Sequence, residues 1–437
     1  MYRVLSLIAT FTLSMHSAFA ADRWPEWRGE TGQGISLAKN LPVHWSEARG
    51  VVWKANVPGR GWSTPVIENG QIWLTAATDE PASEEDVELR RKTTTNSQPL
   101  IFSKSVSLRA VCVDLDSGTL LRDIEVLSEE DPDFIHRENT YATPTPILEN
   151  GRLYCHYGPS GIACLDTDSG EVLWTNRTLR VKHENGPGSS PVLWQDKLFI
   201  HCDGIDEQYV VALDKNTGEI AWKTERSGKL NDNPQLKKSY ATPLVTEVNG
   251  EMQLVSPAAD WVYGYDLHSG KELWRLNYGE LGFSNAARPV SGNGLLYITT
   301  GYMKASMLAI RVTRNGDEQQ AEIAWRCTKQ VPNVSSPLLI GDKMYFVSDQ
   351  GVASCLDART GDTHWTERIG KHFWASPFYA DERIYFFDRD GTTTVIAADD
   401  KYQRLAINKL DGEMLATAAA VDHALVLRTD KALYRLK

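Results

Sequence analysis

His183, Glu184 and Asn185 form a short polar run in the middle of the chain, and Asp203 and Asp206 follow soon after. Imidazole, carboxylate and amide groups brought together could hydrogen-bond a polar ligand. Two or three carboxylates among them suit a hard cation with oxygen ligands, which makes Asp203 and Asp206 the candidate metal ligands. A plainer reading stands beside this one: Asp203-Gly204 makes a turn and His183 caps a strand. Three aromatic residues join the candidate set because they sit among charges. They are Trp62 in Arg60-Gly61-Trp62, Tyr141 at the end of His136-Arg137-Glu138-Asn139-Thr140-Tyr141, and Trp374 in His372-Phe373-Trp374.

Other chemical motifs fail on inspection. His183-Glu184 begins a zinc-protease string, but position 187 is proline, where the second histidine would be needed. There is no Gly-x-Ser-x-Gly elbow, no phosphate-binding loop and no Cys-x-x-Cys. Asp114-x-Asp116-x-Gly118 and Asp166-x-Asp168-x-Gly170 look like half of a calcium loop. Equivalent segments carry Asn216, His268 or Arg359 at the second acid, so these segments read as turns.

That comparison rests on an internal repeat. Asp-x-x-x-Gly-x-x-x-Trp occurs at Asp166/Gly170/Trp174, Asp214/Gly218/Trp222, Asp266/Gly270/Trp274 and Asp357/Gly361/Trp365. Asp114/Gly118 is a copy without the tryptophan, and Trp325 marks a copy with a remodelled turn. A marker that opens on a small residue and ends in proline precedes each unit: Ser63-Thr64-Pro65, Ala142-Thr143-Pro144, Ser189-Ser190-Pro191, Ala241-Thr242-Pro243, Ala287-Arg288-Pro289, Ser335-Ser336-Pro337 and Ala375-Ser376-Pro377, with Ala416-Thr417-Ala418 as a degenerate eighth. Successive markers lie 40 to 52 residues apart, except for a 79-residue gap after Pro65, and that is the period of a four-stranded propeller blade. In the sixth unit, Ser336–Leu339, Lys343–Val347, Val352–Leu356 and the segment around Trp365 read as strands A to D.

The sequence therefore predicts an all-β, eight-bladed propeller of four-stranded antiparallel blades. The last unit runs out after three strands, and Val51-Val52-Trp53-Lys54-Ala55 supplies the fourth, closing the ring and removing a sheet edge. Seven blades is the alternative if the degenerate unit does not close. Six tryptophans (Trp53, Trp174, Trp222, Trp274, Trp325 and Trp365) are assigned to packing between blades. Cys112, Cys164 and Cys355 occupy one repeat position where other copies carry Ala212 or Gly264, so they read as small buried residues. Cys155 and Cys164 flank Gly158-Pro159-Ser160-Gly161 symmetrically, which leaves a cross-hairpin disulfide open.

Residues 1–20 read as a signal peptide: Arg3, an apolar stretch from Val4 to Leu13, and Ala18-Phe19-Ala20 as cleavage site. The propeller then occupies 21–437, and the protein is expected outside the cytoplasm, in the periplasm or beyond. No cysteine follows Ala20, which disfavours a lipid anchor there. No other stretch is long and apolar enough to span a bilayer. A net charge of −11 argues against nucleic acid as partner.

The Ala-Leu-Asp-x-x-Thr-Gly-x-x-x-Trp repeat resembles the PQQ-like (pyrrolo-quinoline quinone) repeat of quinoprotein alcohol dehydrogenases and of an outer-membrane-assembly propeller lipoprotein. Trp24-Pro25-Glu26-Trp27-Arg28-Gly29, Asn185–Pro191, Cys202-Asp203-Gly204 and Arg428-Thr429 resemble exported bacterial proteins with PQQ-like repeats, over roughly residues 22–437. Resemblance to the dehydrogenases implies PQQ near Ca²⁺, an Asp base and, in many, a vicinal cysteine pair. No two cysteines are adjacent here.

Propeller topology separates two faces. A–B and C–D turns, tight and uniform, share one. B–C loops and D–A connections, variable, polar and aromatic, share the other, and rigid scaffolds carry their binding residues on such loops. Residues 79–105 insert on that second face, between strands B and C of the first blade, as a lid or a disordered loop. The resulting expectation is a monomeric, non-catalytic binding scaffold whose loop-rich face takes a protein, peptide or glycan. A PQQ- and Ca-dependent dehydrogenase is the alternative, and a periplasmic envelope-assembly factor the second.

Overall fold

The computed structural model describes residues 22–279 and 282–437, so the expected signal peptide lies outside the described residues. Eight four-stranded antiparallel sheets form the ring. Strands are lettered A to D outward within each blade, because the A strands of neighbouring blades contact one another around the axis. Blade 6 comprises Leu338–Ile340, Lys343–Val347, Val352–Asp357 and Thr363–Arg368. Blade 8 comprises Ala419–Val421, Ala424–Arg428 and Leu433–Leu436, and Val51–Ala55 pairs antiparallel with its third strand to complete it.

The repeated residues weld blade to blade. Each Asp-x-x-x-Gly turn places its glycine at positive φ, a conformation that costs other residues most. The bare glycine then receives the tryptophan of the preceding blade. A Cβ on Gly218 would fall 2.4 Å from Trp174, and one on Gly270 2.4 Å from Trp222. The indole N–H donates to the residue after the aspartate: Trp53 to Leu115 O at 3.0 Å, Trp174 to Lys215 O at 3.0 Å and Trp222 to Leu267 O at 3.1 Å. Blade 1 carries Arg122 at the tryptophan position, and Arg122 still docks on the next turn through Asp168 O.

A second weld lines the axis. The backbone N–H of Thr64 donates to Thr145 Oγ1 at 3.0 Å, Thr145 to Ser190 Oγ at 2.9 Å, and Ser190 to Thr242 Oγ1 at 2.9 Å. The chain resumes from Arg288 to Ser336 Oγ, Ser336 to Ser376 Oγ and Ser376 to Thr417 Oγ1. This ring corrects the marker in the second unit. Thr145-Pro146 occupies the equivalent position, two residues beyond Thr143-Pro144, because only there does the hydroxyl meet its neighbour's N–H.

Residues 24–36 lie across the opposite end of the axis. Trp24 pairs with Ile67 of blade 1, and Pro25 O accepts from Leu148 of blade 2. Gln33 Oε1 accepts from Ser291 of blade 5, Gly34 and Ser36 pair with Tyr379 of blade 7, and Ser36 Oγ donates to Ala420 O of blade 8.

Two further expectations are revised. Cys155 stands opposite Ala163, and Cys164 opposite Tyr154. The two thiols are one register step apart and point to opposite faces of the sheet, and both are free and buried. The 79–105 segment is ordered: strand B of blade 1 runs Gln71–Pro81, a helix follows over Glu84–Arg91, and Leu100–Ile101 pairs with Ile135–His136. Ser83 caps the helix, accepting the Asp86 N–H. Arg90 anchors it to Ser103 O at 2.9 Å and to Pro132 O. No helix among the described residues is long and apolar enough to cross a membrane.

Candidate functional site

Strand B of blade 3 (Lys197–Asp203) ends in the first candidate carboxylate, and Asp203 is fully buried there. Its two oxygens accept from Arg226 Nε at 3.1 Å and Nη2 at 3.2 Å. His201 Nε2 lies 2.8 Å from the same carboxylate. Arg226 also donates to Tyr265 Oη at 3.1 Å and Ser256 Oγ at 2.9 Å, both from blade 4, and its guanidinium lies 5.2 Å from the Tyr263 ring. Burial works to raise the Asp203 pKa, but Arg226 and His201 outweigh it and hold the carboxyl below its ordinary range. Asp203 is therefore spent on a buried inter-blade ion network and not offered to a cation. Asp206 is exposed and accepts the Lys182 N–H at 2.9 Å. Among the described residues no three His, Cys, Asp or Glu side chains converge as metal ligands.

His183, Glu184 and Asn185 are placed on the connection into blade 3, where they hold loops together. His183 is buried, and burial drives its pKa down to about 3. Its carbonyl accepts from Tyr240 Oη at 2.7 Å. Glu184 accepts from Thr94 Oγ1 at 3.1 Å and from the Gln235 amide. Asn96 Nδ2 donates to Glu184 O at 2.9 Å and Asn185 Oδ1 at 3.0 Å. Thr94 and Asn96 belong to the 79–105 segment, so the polar run clamps that segment to blade 3. Tyr141 is buried beneath it, bonded to Ser103 Oγ at 3.3 Å.

Trp62 and Trp374 are brought to one region, the seam of blades 7, 8 and 1. The Trp62 indole N–H donates to Glu138 O at 3.1 Å. Glu138 pairs with Arg389 at 2.9 Å, and Arg389 lies 5.2 Å over the Trp374 ring. A cleft of about 320 Å³ opens beside Trp62. The sequence reading missed a larger cleft of about 560 Å³ on the same face, between the loops of blades 5 and 6. Tyr302 and Met303 border it and are 58% and 63% exposed. Their loop carries no charge run, so only its position after strand B of blade 5 could have flagged it.

These residues do not fit a quinone–calcium centre. The buried aspartate is neutralised by arginine, the cysteines are dispersed over separate strands, and no cation donor set forms among the described residues.

A family model described as outer membrane protein assembly factor BamB matches residues 39–224 and 258–432. The chain is similar to an outer membrane protein assembly factor BamB of Shewanella oneidensis, 23% identical over 275 residues, covering 57% of this chain and 64% of that protein. A second, from Moranella endobia, is 22% identical over 243 residues and covers 55% and 58%. The chain thus spans about three-fifths of the length of these curated relatives. Among solved structures, BamB from Moraxella catarrhalis superposes with a TM-score of 0.56 at 13% identity, over 89% of this chain and 99% of that one. A computationally designed protein, Ika8, superposes with a TM-score of 0.54 at 12% identity, over 78% and 94%. Both likenesses concern the fold.

Proposed function

Because the chain belongs to the family described as outer membrane protein assembly factor BamB, we propose that it is a non-catalytic, protein-binding propeller of the bacterial envelope that assists outer-membrane protein assembly. The leader-like segment at 1–20 supports export to that compartment. One observation carries the binding reading: the loop-rich face presents Tyr302 and Met303, largely exposed, at the lip of the 560 Å³ cleft. Exposed tyrosine is the residue type that dominates binding energy at protein interfaces, and methionine adapts to varied apolar partners. Hydrogen bonds from the Gly301 N–H to Asn285 Oδ1 at 2.6 Å and from the Ser306 N–H to Thr300 Oγ1 at 3.0 Å hold the two ends of the loop carrying Tyr302 and Met303, so less conformational entropy is lost when a partner docks. The acidic chain favours a partner with basic surface and speeds its encounter.

The test is genetic and biochemical together. Removing the chromosomal copy should lower the amount of folded outer-membrane barrels, and the wild-type gene should restore it. A Tyr302→Ala, Met303→Ala double variant, folded and with an unchanged melting temperature, should not restore it. Unchanged barrel levels in the deletion strain would sink the assembly reading.

A further inference from the structure

The cleft at the seam of blades 8 and 1 is lined by Arg60, Gly61, Trp62, Glu413, Arg428 and Asp430. Arg428 ends strand B of blade 8 and is 3% exposed. A buried guanidinium normally meets a carboxylate, because an unpaired charge out of water is costly. Here Nη1 donates only to neutral acceptors: Ser63 Oγ at 2.8 Å, Thr75 O at 2.9 Å and Ser63 O at 3.4 Å. Burial alone drags its pKa down to about 9, and no anion opposes that shift. Its Nε and Nη2 donate to no described residue. Arg428 nevertheless lines the cleft, so its guanidinium borders that space. A Cβ on Gly61 would fall 2.8 Å from Nη2 and 2.6 Å from Thr75 O, so the bare backbone of Gly61 is what lets the guanidinium reach the cleft.

The acids at the rim are turned to other partners. Glu413 Oε2 accepts from Arg389 at 3.1 and 3.2 Å, and Asp430 Oδ1 accepts the Glu413 N–H at 2.6 Å. Lys431 also lines the cleft. Three cations (Arg60, Arg428 and Lys431) against two carboxylates leave one surplus positive charge, on a chain whose net charge is −11. That balance suits a monoanion, since a dianionic phosphate would face both rim acids. The Trp62 indole has its N–H committed to Glu138 O, which leaves its ring as a wall.

We propose that this cleft binds a carboxylate presented by a peptide, with the free Arg428 donors taking its oxygens and the Trp62 ring packing on the flanking residue. Charge-assisted bonds from arginine to carboxylate supply the geometry and the strength. The proposal rests on the protein-binding reading above, and narrows it to a peptide segment with a free C-terminus or an Asp or Glu side chain.

The experiment is calorimetry on the full exported chain with three probes: a short N-acetylated peptide ending in a free carboxylate, the same peptide amidated and without acidic side chains, and inorganic phosphate. Saturable binding of the free-carboxylate peptide is expected, at least about tenfold weaker for the amide and for phosphate. An N-acetylated, C-amidated peptide with one internal Asp tells a side-chain source from a terminal one; the proposal accepts either. Arg428→Gln should weaken binding at least about tenfold. Should that variant not fold, the exposed Lys431→Ala variant, expected to weaken binding severalfold, and the peptide-amide pair still decide the matter. No binding of either carboxylate peptide, equal binding of the amide, tighter binding of phosphate, or full affinity in folded Arg428→Gln would each overturn the proposal. If the carboxylate fails while Tyr302→Ala, Met303→Ala still abolishes barrel assembly, the cleft falls and the assembly function stands.

Discussion

A fully buried aspartate beside a histidine and an arginine is held by its partners, and the cost of removing it reveals the arrangement. Asp203→Asn leaves Arg226 charged and unpaired between two blades, so chemical denaturation should show a loss of about 3–5 kcal/mol. Asp206→Ala, exposed and bonded to a single N–H, should change stability by no more than about 1 kcal/mol. Equal effects of the two would contradict the network. Acid sensitivity follows from the buried histidines. Burial lowers the pKa of His156 to about 4 and of His183 to about 3, so both fold neutral. In the unfolded chain each protonates near its ordinary value, about 6.5. Their contribution is therefore complete above that value and is lost as pH falls through the folded values, at up to about 1.4 kcal/mol per pH unit for each. Melting temperature should drop from pH 7 to pH 4, and His156→Gln should flatten the slope; a parallel profile would refute this role. The polar run at 183–185 and Asp203 could be singled out from the sequence as polar candidates, but the structure gives them separate partners, Asn96 for the run and Arg226 for Asp203. Arg226, Tyr263 and Tyr265, which decide what Asp203 does, were not legible there, because they arrive from the far end of the blade and from its neighbour.

Among the elements, the C–D turn and the tryptophan that lands on it form one unit shared by two blades. Trp222 and Trp274 are buried and Trp365 is half-buried, and Trp274 donates to Gln253 of its own blade where the other two donate to the next blade, so the three are not equivalent. Trp222→Ala and Trp274→Ala should cost about 3–5 kcal/mol and Trp365→Ala less. Gly270→Ala tests the same joint from its other side: it forces a side chain into positive φ and to within 2.4 Å of Trp222, a cost on the order of 1–3 kcal/mol from backbone strain before any repacking. Cys355→Ala should be mild, since blade 3 carries Ala212 opposite its own tryptophan. A Gly270→Ala protein that melts like the parent would mean the joint is loose. Strand alternation and the repeated aspartate, glycine and tryptophan made these joints readable in advance. The shift from Thr143 to Thr145 was not readable, because Thr-Pro-Thr-Pro offers two equal copies of the marker and only the hydroxyl ring around the axis chooses between them. The helix at Glu84–Arg91 escaped notice for a related reason: it buries no side chain, so it has no apolar stripe to announce it.

For the molecule as a whole, the N-terminal stretch has two separable duties. Val51–Ala55 closes the ring by completing blade 8, and Trp53 then docks on the first turn of blade 1. Residues 24–36 act as spokes, bonded to the inner strands of blades 1, 2, 5, 7 and 8, with Arg28 reaching Pro337 of blade 6. Glu26 adds a pair with Arg288 at 2.9 Å across the axis. Trp24 and Trp45 are buried in the core that joins blades 7, 8 and 1. Two truncations distinguish the duties. Starting the chain at residue 49 removes the spokes but keeps the closing strand, so the protein should stay soluble and monodisperse with a lowered melting temperature. Starting it at residue 58 also removes the closing strand and bares the Leu433–Leu436 edge, a template for pairing with other chains. That product should aggregate or unfold on size-exclusion chromatography. Similar behaviour of the two truncations would show that the closing strand adds nothing beyond the spokes. A longer truncation that stayed monodisperse with the parent's melting temperature would show that the ring holds without either. The seam they guard is also where Arg428, Gly61 and Trp62 meet, so the same truncation at residue 49 should leave peptide binding there intact while the truncation at 58 abolishes it.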